Sequence, residues 1–454
     1  MDIVGIDPAV VAEVQEETTD LLCRLIRIDT SNPPGGETQV AEFMAAWFAE
    51  AGLRGEIVGE PADRRSFVVR LEGSRPGPSL LLLAHEDVVP ADPEGWQVPP
   101  FAGVVKDGCV WGRGALDIKN LVAAHAVAFR RLAAAGAPFA GTLVYACTAD
   151  EEEGSVCGAR WLLEHRPDLV RTDYVLNEGG GHFIVKDGAP VYVLETGEKG
   201  TAQFRIVVSG DGGHASVPLR GHNAVVGAAH VVEALAAFEL PIVVDGSSAD
   251  LVELLVDDPD LRARLRDPAR ARQALRELAA RDPGLADMVE PLYGPAFSPT
   301  IVRGNSDAVN VYPTRVELSV DCRMLAGHDE REVEAEVRDA LSGVDARWTF
   351  EWVGTPVRGN ASAYPSRFSD AIRKVLERHV PDAKLANSHC VGFTDSNWFR
   401  SLHPDVVAYN FAPHVEEDYE AVTERYHNVD ERISVRDLAF QALFAERLAL
   451  EVLS

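Results

Sequence analysis

The chain has 454 residues, roughly three times the ~150 that one domain usually takes, so more than one domain is expected. Its 43 Lys and Arg against 71 Asp and Glu leave a formal net charge of −28, which excludes the basic footprint that nucleic acid or an anionic membrane surface requires. At 46% hydrophobic and 25% charged residues, the composition is that of a globular protein with ample core rather than a disordered chain. The six cysteines, Cys23, Cys109, Cys147, Cys157, Cys322 and Cys390, are too sparse for a disulfide scaffold, and they include no CxxC pair, which argues against a thiolate zinc site. The acidic N-terminal stretch has no basic region leading into an apolar one, so a cytoplasmic, reducing setting is expected.

In chain order, helical spacing covers 10–28 and 38–51. Short apolar runs at 67–71, 79–84, 142–147 and 174–176 alternate with helical segments at 121–135 and 156–165. Such runs, separated by helices, predict an α/β fold with a mostly parallel sheet covered on both faces. The stretch 132–149 carries no charge over eighteen residues. Gly136, Pro138 and Gly141 interrupt it, so it reads as a helix end, a turn and a buried strand rather than a membrane span. From 198 the texture changes. Half-exposed strands are expected at 202–209 and 315–321, a helix at 223–237, and an Arg-, Asp- and Leu-rich helical stretch at 247–290 with Asp-Pro turns. A helix at 367–379 and a strand near 406–410 restore the first style. The expected organisation is an α/β domain, 1–197 and 356–454, split by an inserted α+β domain at 198–355.

Four polar cues lie just past predicted strands. His85 and Asp87, two apart, project to one face of a strand end. Asp117 follows a glycine-rich turn; taken alone, it is as well explained by a helix N-terminus. Asp150, Glu151, Glu152 and Glu153 follow the strand 142–147, and in isolation such a run reads as a solvated turn. Glu178 follows the strand 174–176. The C-terminal edge of an open α/β sheet is where ligands bind. Crowded carboxylates raise one another's pKa unless a cation neutralises them. One nitrogen and several oxygen donors suit Zn²⁺, and this many carboxylates suit two ions better than one.

These residues resemble the family of di-zinc amidohydrolases and exopeptidases that includes aminoacylase, acetylornithine deacetylase, succinyl-diaminopimelate desuccinylase and carboxypeptidases G and S. The stretch 25–37 (LIRIDTSNPPGGE) is similar to the family's N-terminal segment. His85 to Pro90, Trp96, Pro100-Phe101, Asp107-Gly108, and Gly112-Arg113-Gly114-Ala115-x-Asp117-x-Lys119 resemble its first signature, and Asp150-Glu151-Glu152-x-Gly154 its second. The resemblance implies a zinc exopeptidase-like catalytic domain with an inserted α+β lid and dimerisation domain. It implies two Zn²⁺ ions, with Co²⁺ as a substitute. His85 and Glu178 would bind one ion, Glu152 and a distant histidine the other, and Asp117 would bridge them. His427, in a His-x-x-x-Glu pattern with Glu431, fits the distant position, and His414 competes for it. The acid run also allows Glu152/Glu153 in place of Glu151/Glu152, with Gly154 anchoring the latter.

The resemblance further implies metal-bridged water attack with Glu151 as general base and Asp87 orienting His85. His214 would be the lid histidine that stabilises the oxyanion, reaching a partner's site in dimeric members. Asn310, Arg323 and Gly392 would line the substrate site. The implied activity is cleavage of an amide bond adjacent to a free carboxylate in N-acyl amino acids or small peptides. A dipeptidase or aminopeptidase of the same superfamily, and a catalytically silent binding protein, are the other readings. The chain departs from aminoacylase-like members in carrying Asn397 where they often have Arg, and in the extra helical stretch 247–290.

Overall fold

Residues 80–84, Leu-Leu-Leu-Leu-Ala, are fully buried because alternate side chains enter two different cores. Leu80, Leu82 and Ala84 pack on one face of the sheet, and Leu81 and Leu83 on the other. The computed structural model describes residues 1, 3–217 and 222–454 and divides into two units. One comprises Met1–Thr196, Ser362–Asn387 and Thr394–Ser454; the other comprises Gly197–Ala361 and Ser388–Phe393.

The first unit is built on a mixed sheet whose centre is parallel. Its strands run in the order Glu56–Val58, Ser66–Glu72, Ala140–Thr148, Arg75–His85, Tyr174–Asn177, Val407–Asn410 and Ala189–Glu198. The four from Ala140–Thr148 to Val407–Asn410 are mutually parallel, and the flanking pairs are antiparallel. Helices Pro8–Ile26, Thr38–Glu50, Lys119–Ala134, Arg367–His379 and Val435–Val452 cover one face. Ala159–His165 and Ser396–Leu402 cover the other.

The uncharged stretch 132–149 resolves into the end of helix Lys119–Ala134 and the strand Ala140–Thr148. No helix among the described residues is long and apolar enough to cross a membrane. The helix expected from 156 begins only at Ala159, because the Cys157 N–H is taken by the Asp150 carboxylate at 3.0 Å.

Two Asp-Gly turns close hairpins in this unit, each with both residues at positive φ. Asp187-Gly188 joins Phe183–Lys186 to Ala189–Glu198. Asp107-Gly108 joins Val104–Lys106 to Cys109–Trp111, on which the distant strand Arg432–Ser434 adds antiparallel.

The second unit has a five-stranded antiparallel sheet of Gly200–Thr201, Phe204–Ser209, Ala296–Gly304, Arg315–Met324 and Arg347–Trp352. Helices Ala224–Ala237 and Glu330–Ala340 pack on it. The stretch 247–290 forms four short helices. Two of its Asp-Pro pairs are helix starts rather than turns: Asp258 and Asp282 are N-caps and the prolines occupy the first helical position.

Candidate active site

Each cue from the sequence lies at the C-terminal edge of the central sheet, where the backbone stops pairing with itself and its groups turn to side chains. His85 ends the strand Arg75–His85, and its side chain is 1% exposed. Its Nε2 lies 3.1 Å from Asp117 Oδ1, 3.5 Å from Glu178 Oε2 and 3.9 Å from Glu151 Oε2. Its Nδ1–H donates to the Asp87 backbone carbonyl at 3.0 Å, with the Asp87 carboxylate 3.4 Å away. Asp87 also accepts from the backbone N–H of Glu151 and of Glu152, each at 3.1 Å, and from Asn32 Nδ2 at 2.8 Å. One buried carboxylate thus contacts both the histidine and the acidic loop.

That loop leaves the strand Ala140–Thr148 and makes a single 3₁₀ turn over Glu151–Glu153. Asp150 and Ser155 bracket it in the left-handed region, at φ 67° and 65°, which costs non-glycine residues energy and must be held. Asp150 is held by Arg64 Nη2 at 2.6 Å and Asn32 Nδ2 at 3.2 Å, and Arg64 in turn forks onto Glu37. Gly158 allows the closing turn to pass the loop, since a Cβ there would stand 1.7 Å from the Ala149 carbonyl. Glu151 and the Glu152 side chain face inward, whereas Glu153 is exposed.

Asp117 presents its two oxygens to two different imidazoles. Oδ1 faces His85, and Oδ2 lies 3.0 Å from His427 Nε2, which is also 3.3 Å from Glu152 Oε2. The loop that carries Asp117 is fixed by a residue the sequence offered only as part of a pattern. Glu431, fully buried, accepts from the backbone N–H of Leu116 at 2.7 Å and of Asp117 at 3.1 Å, and from Arg113 Nη1 at 2.5 Å. Arg113 lies over the Trp96 ring at 5.4 Å. The pairing of Arg432–Ser434 with Cys109–Trp111 delivers both Glu431 and His427. His414, the competing histidine, is buried elsewhere: it pairs with Asp437 at 3.4 Å and stacks on His182.

Electrostatics tie the group together. Burial opposes a charge on His85, but Glu178, Asp117 and Asp87 outweigh it and hold the imidazole well above its usual range. Burial, and then Glu178, push Glu151 well above the ordinary carboxylate range. Burial likewise lifts Glu178, to about 7, against the pull of His85. Asp117 is held low, because hydrogen bonds from His427 and His85 overcome its burial. His427 is lifted to about 10 by its hydrogen bonds to Asp117 and Glu152.

Two groups, His85–Asp117–Glu152 and His85–Glu151–Glu178, each bring their donor atoms within 4.8 Å of one another among the described residues. Glu152 Oε1 and Glu178 Oε1 are buried with no hydrogen-bond partner. Clustered acids with unspent buried oxygens beside two imidazoles fit divalent cations, which would both neutralise the charge and use the free donors.

In the second unit, His214 lies on the two-residue strand Gly213–His214, paired with Val311–Tyr312. Asn310 is adjacent, its carbonyl accepting from Ala215 N at 2.9 Å, and both residues are exposed. Arg323 lies on Arg315–Met324 with its guanidinium on Asp321 at 2.9 Å, and Gly392 lies in Ser388–Phe393.

A mainly parallel α/β sheet carrying this histidine and carboxylate group at its edge defines the class of metal-dependent hydrolases. The model of peptidase family M20/M25/M40 matches residues 81–451, and the chain belongs to that family. It is 27% identical over 402 residues to the N-fatty-acyl-amino acid synthase/hydrolase PM20D1 of Homo sapiens, covering 86% of this chain and 77% of that protein. It is 25% identical over 437 residues to the succinyl-diaminopimelate desuccinylase of Beijerinckia indica, covering 94% and 96%. Among solved structures, the M20 family metallo-carboxypeptidase Sso-CP2 of Sulfolobus solfataricus matches with a TM-score of 0.71 at 18% identity, covering 96% of this chain and all of that one. The protein is a metallo-amidohydrolase or exopeptidase.

Proposed function

We propose that this hydrolase cleaves an amide bond next to a free carboxylate, in N-acyl amino acids or short peptides, with a pair of Zn²⁺ ions and Glu151 as general base. The observation that carries the reading is the division of Asp117, whose two oxygens each face a different imidazole, each of those backed by its own glutamate. His85, Glu178 and Asp117 would hold one ion, and Asp117, Glu152 and His427 the other. When bound, such ions supply Lewis acidity at the scissile carbonyl and ease deprotonation of water. Asp87 fixes the His85 tautomer through the Nδ1–H, leaving Nε2 as the donor.

Glu151 takes a proton from the attacking water and returns it to the departing amine. Its burial beside Glu178 favours the protonated state it must pass through. In the second unit, His214 and Asn310 would meet the developing oxyanion, Arg323 the substrate carboxylate as a bidentate donor, and the Gly392 backbone the substrate. The names of the relatives support this substrate class, because acyl-amino acids and succinyl-diaminopimelate both set an amide beside a carboxylate. A homodimer through the second unit is part of the proposal. Support comes from Ile301 and Val302, exposed on its strand Ala296–Gly304.

The test is a panel of acyl-amino acids and dipeptides assayed on zinc-loaded wild type and Glu151→Gln. The expected result is a loss of roughly 10²–10⁴-fold in kcat on every substrate cleaved. A variant as active as wild type overturns the mechanism, and a preference for substrates lacking a carboxylate overturns the substrate class.

A further inference from the structure

The acidic loop has one set of contacts that the reaction does not use. Asp395 is 1% exposed, yet its carboxylate accepts from Thr148 Oγ1 at 2.7 Å and from Ser155 Oγ through a short hydrogen bond. Thr148 is the last residue of the strand, and Ser155 is the first after the 3₁₀ turn and Gly154, so the two hydroxyls bracket the turn that carries Glu151 and Glu152. Three residues on, Trp398 Nε1 donates to the Gly154 carbonyl at 3.2 Å. Between them, Ser396 Oγ accepts from Asn177 Nδ2 at 3.1 Å and donates to Asn410 Oδ1 at 2.7 Å. Asn177 immediately precedes Glu178. A single short segment, 395–398, therefore grips both acid carriers from behind.

We propose that Asp395 is a positioning residue for this active site, clamping the two ends of the Glu151–Glu152 turn through Thr148 and Ser155. The proposal rests on the reading of Glu151 as base and Glu152 as ligand. A buried carboxylate is costly, and two hydroxyl donors are thin compensation for it. The return lies in the loop. Asp150 and Ser155 hold left-handed backbone that a free loop would abandon, and a carboxylate can receive both hydroxyls at once from a fixed point on the helix Ser396–Leu402. Asn would keep the clamp in weaker form. Its amide can donate to Thr148 Oγ1, whose own hydrogen has an alternative acceptor in the Ala84 carbonyl at 3.2 Å, while its oxygen still receives Ser155.

The experiment uses zinc-loaded full-length chain carrying Asp395→Ala, Asp395→Asn, Ser155→Ala, the Asp395→Ala/Ser155→Ala pair, and Glu151→Gln in parallel. Asp395→Ala should lower kcat by ~10–100-fold, the cost typical of a supporting partner, with KM little changed. Asp395→Asn should recover most of that loss. The double variant should be no worse than Asp395→Ala alone, because both changes open one clamp. Amide exchange of the peptide covering 148–155 should quicken in Asp395→Ala while the sheet strands stay protected. Wild-type kcat and loop protection in Asp395→Ala overturn the proposal. So does a loss that Asp395→Asn fails to recover and that tracks a lowered melting temperature. If Glu151→Gln is itself active, the underlying reading of the base has failed instead.

Discussion

The two histidines that meet Asp117 stand in opposite surroundings. His85 is 1% exposed, ends a strand with neighbours on both sides, and is fixed through Nδ1 by its own near neighbour Asp87. His427 is 52% exposed, sits in a loop at φ 56°, and is held through the chain around it: Arg425 on Glu417, and Asp430 on the Gln97 backbone. The sheet builds one half of the centre in advance, and a loop closes the other. A ligand fixed by the core loses little freedom when it binds, whereas a loop ligand gives up more, so the His427 side should hold its ion more weakly.

The largest effect that could break this asymmetry belongs to the residue common to both halves. Asp117→Asn should remove both ions and lower activity by more than the roughly 10²–10⁴-fold that loss of a proton-transfer group costs. Metal analysis that still finds two ions per chain would show that Asp117 does not join the halves.

Next come the histidines separately. His427→Ala should retain one ion, and chelator titration of the wild type should release one equivalent before the other. His85→Ala should lose the tighter ion, each activity loss exceeding the ~10–100-fold of an outer partner. Simultaneous release of both ions erases the distinction. Glu431→Gln, which weakens the grip on the Leu116 and Asp117 amides, should reduce metal affinity by about 10–100-fold, read by competition with a chromogenic chelator. Glu431→Ala should also unfold more readily, by roughly 3–5 kcal/mol, since it leaves Arg113 buried without its partner.

The smallest effect serves as a reference away from the centre. Burial drives His125, in the helix Lys119–Ala134, down to about 3 from an ordinary 6.5, so the folded chain keeps it neutral. Its contribution to stability is complete above the ordinary value and is lost as pH falls toward the folded one, at about 1.4 kcal/mol per pH unit. His125→Gln should flatten that limb in urea titrations between pH 6 and pH 4 without altering metal content. An unchanged limb would show that other groups produce it.

Much of this was legible in the sequence, for reasons that differ by residue. The parallel strands could be read because 80–84 and 143–147 carry no charged residue and are buried throughout, as strands covered on both faces must be. The first proposed ligands, His85 and Glu178, followed from strand ends, a local property. Glu431 and Asp395 were harder, because each acts on backbone or hydroxyls far along the chain, and no spacing rule links Asp395 to Thr148 and Ser155 across about 240 residues. The hairpin at Asp187-Gly188 did carry a signal, a turn dipeptide between apolar runs, that periodicity alone passes over. In the second unit the strand Arg347–Trp352 alternates strictly, with Arg347, Thr349 and Glu351 exposed between aromatic residues, so its period of two was legible although the expected strands leave it out.

The small sheet that joins Arg432–Ser434 to Cys109–Trp111 has a temporal meaning as well as a spatial one. A nascent chain leaving the ribosome can lay down His85, Asp117, the acid turn and Glu178 early, but it lacks Glu431 until 314 further residues after Asp117 have been made. The closing strand is therefore the last part of this cluster to be synthesised: a product that stops before Glu431 carries His85, Asp117, the acid turn and Glu178 but lacks the carboxylate that receives the Leu116 and Asp117 amides.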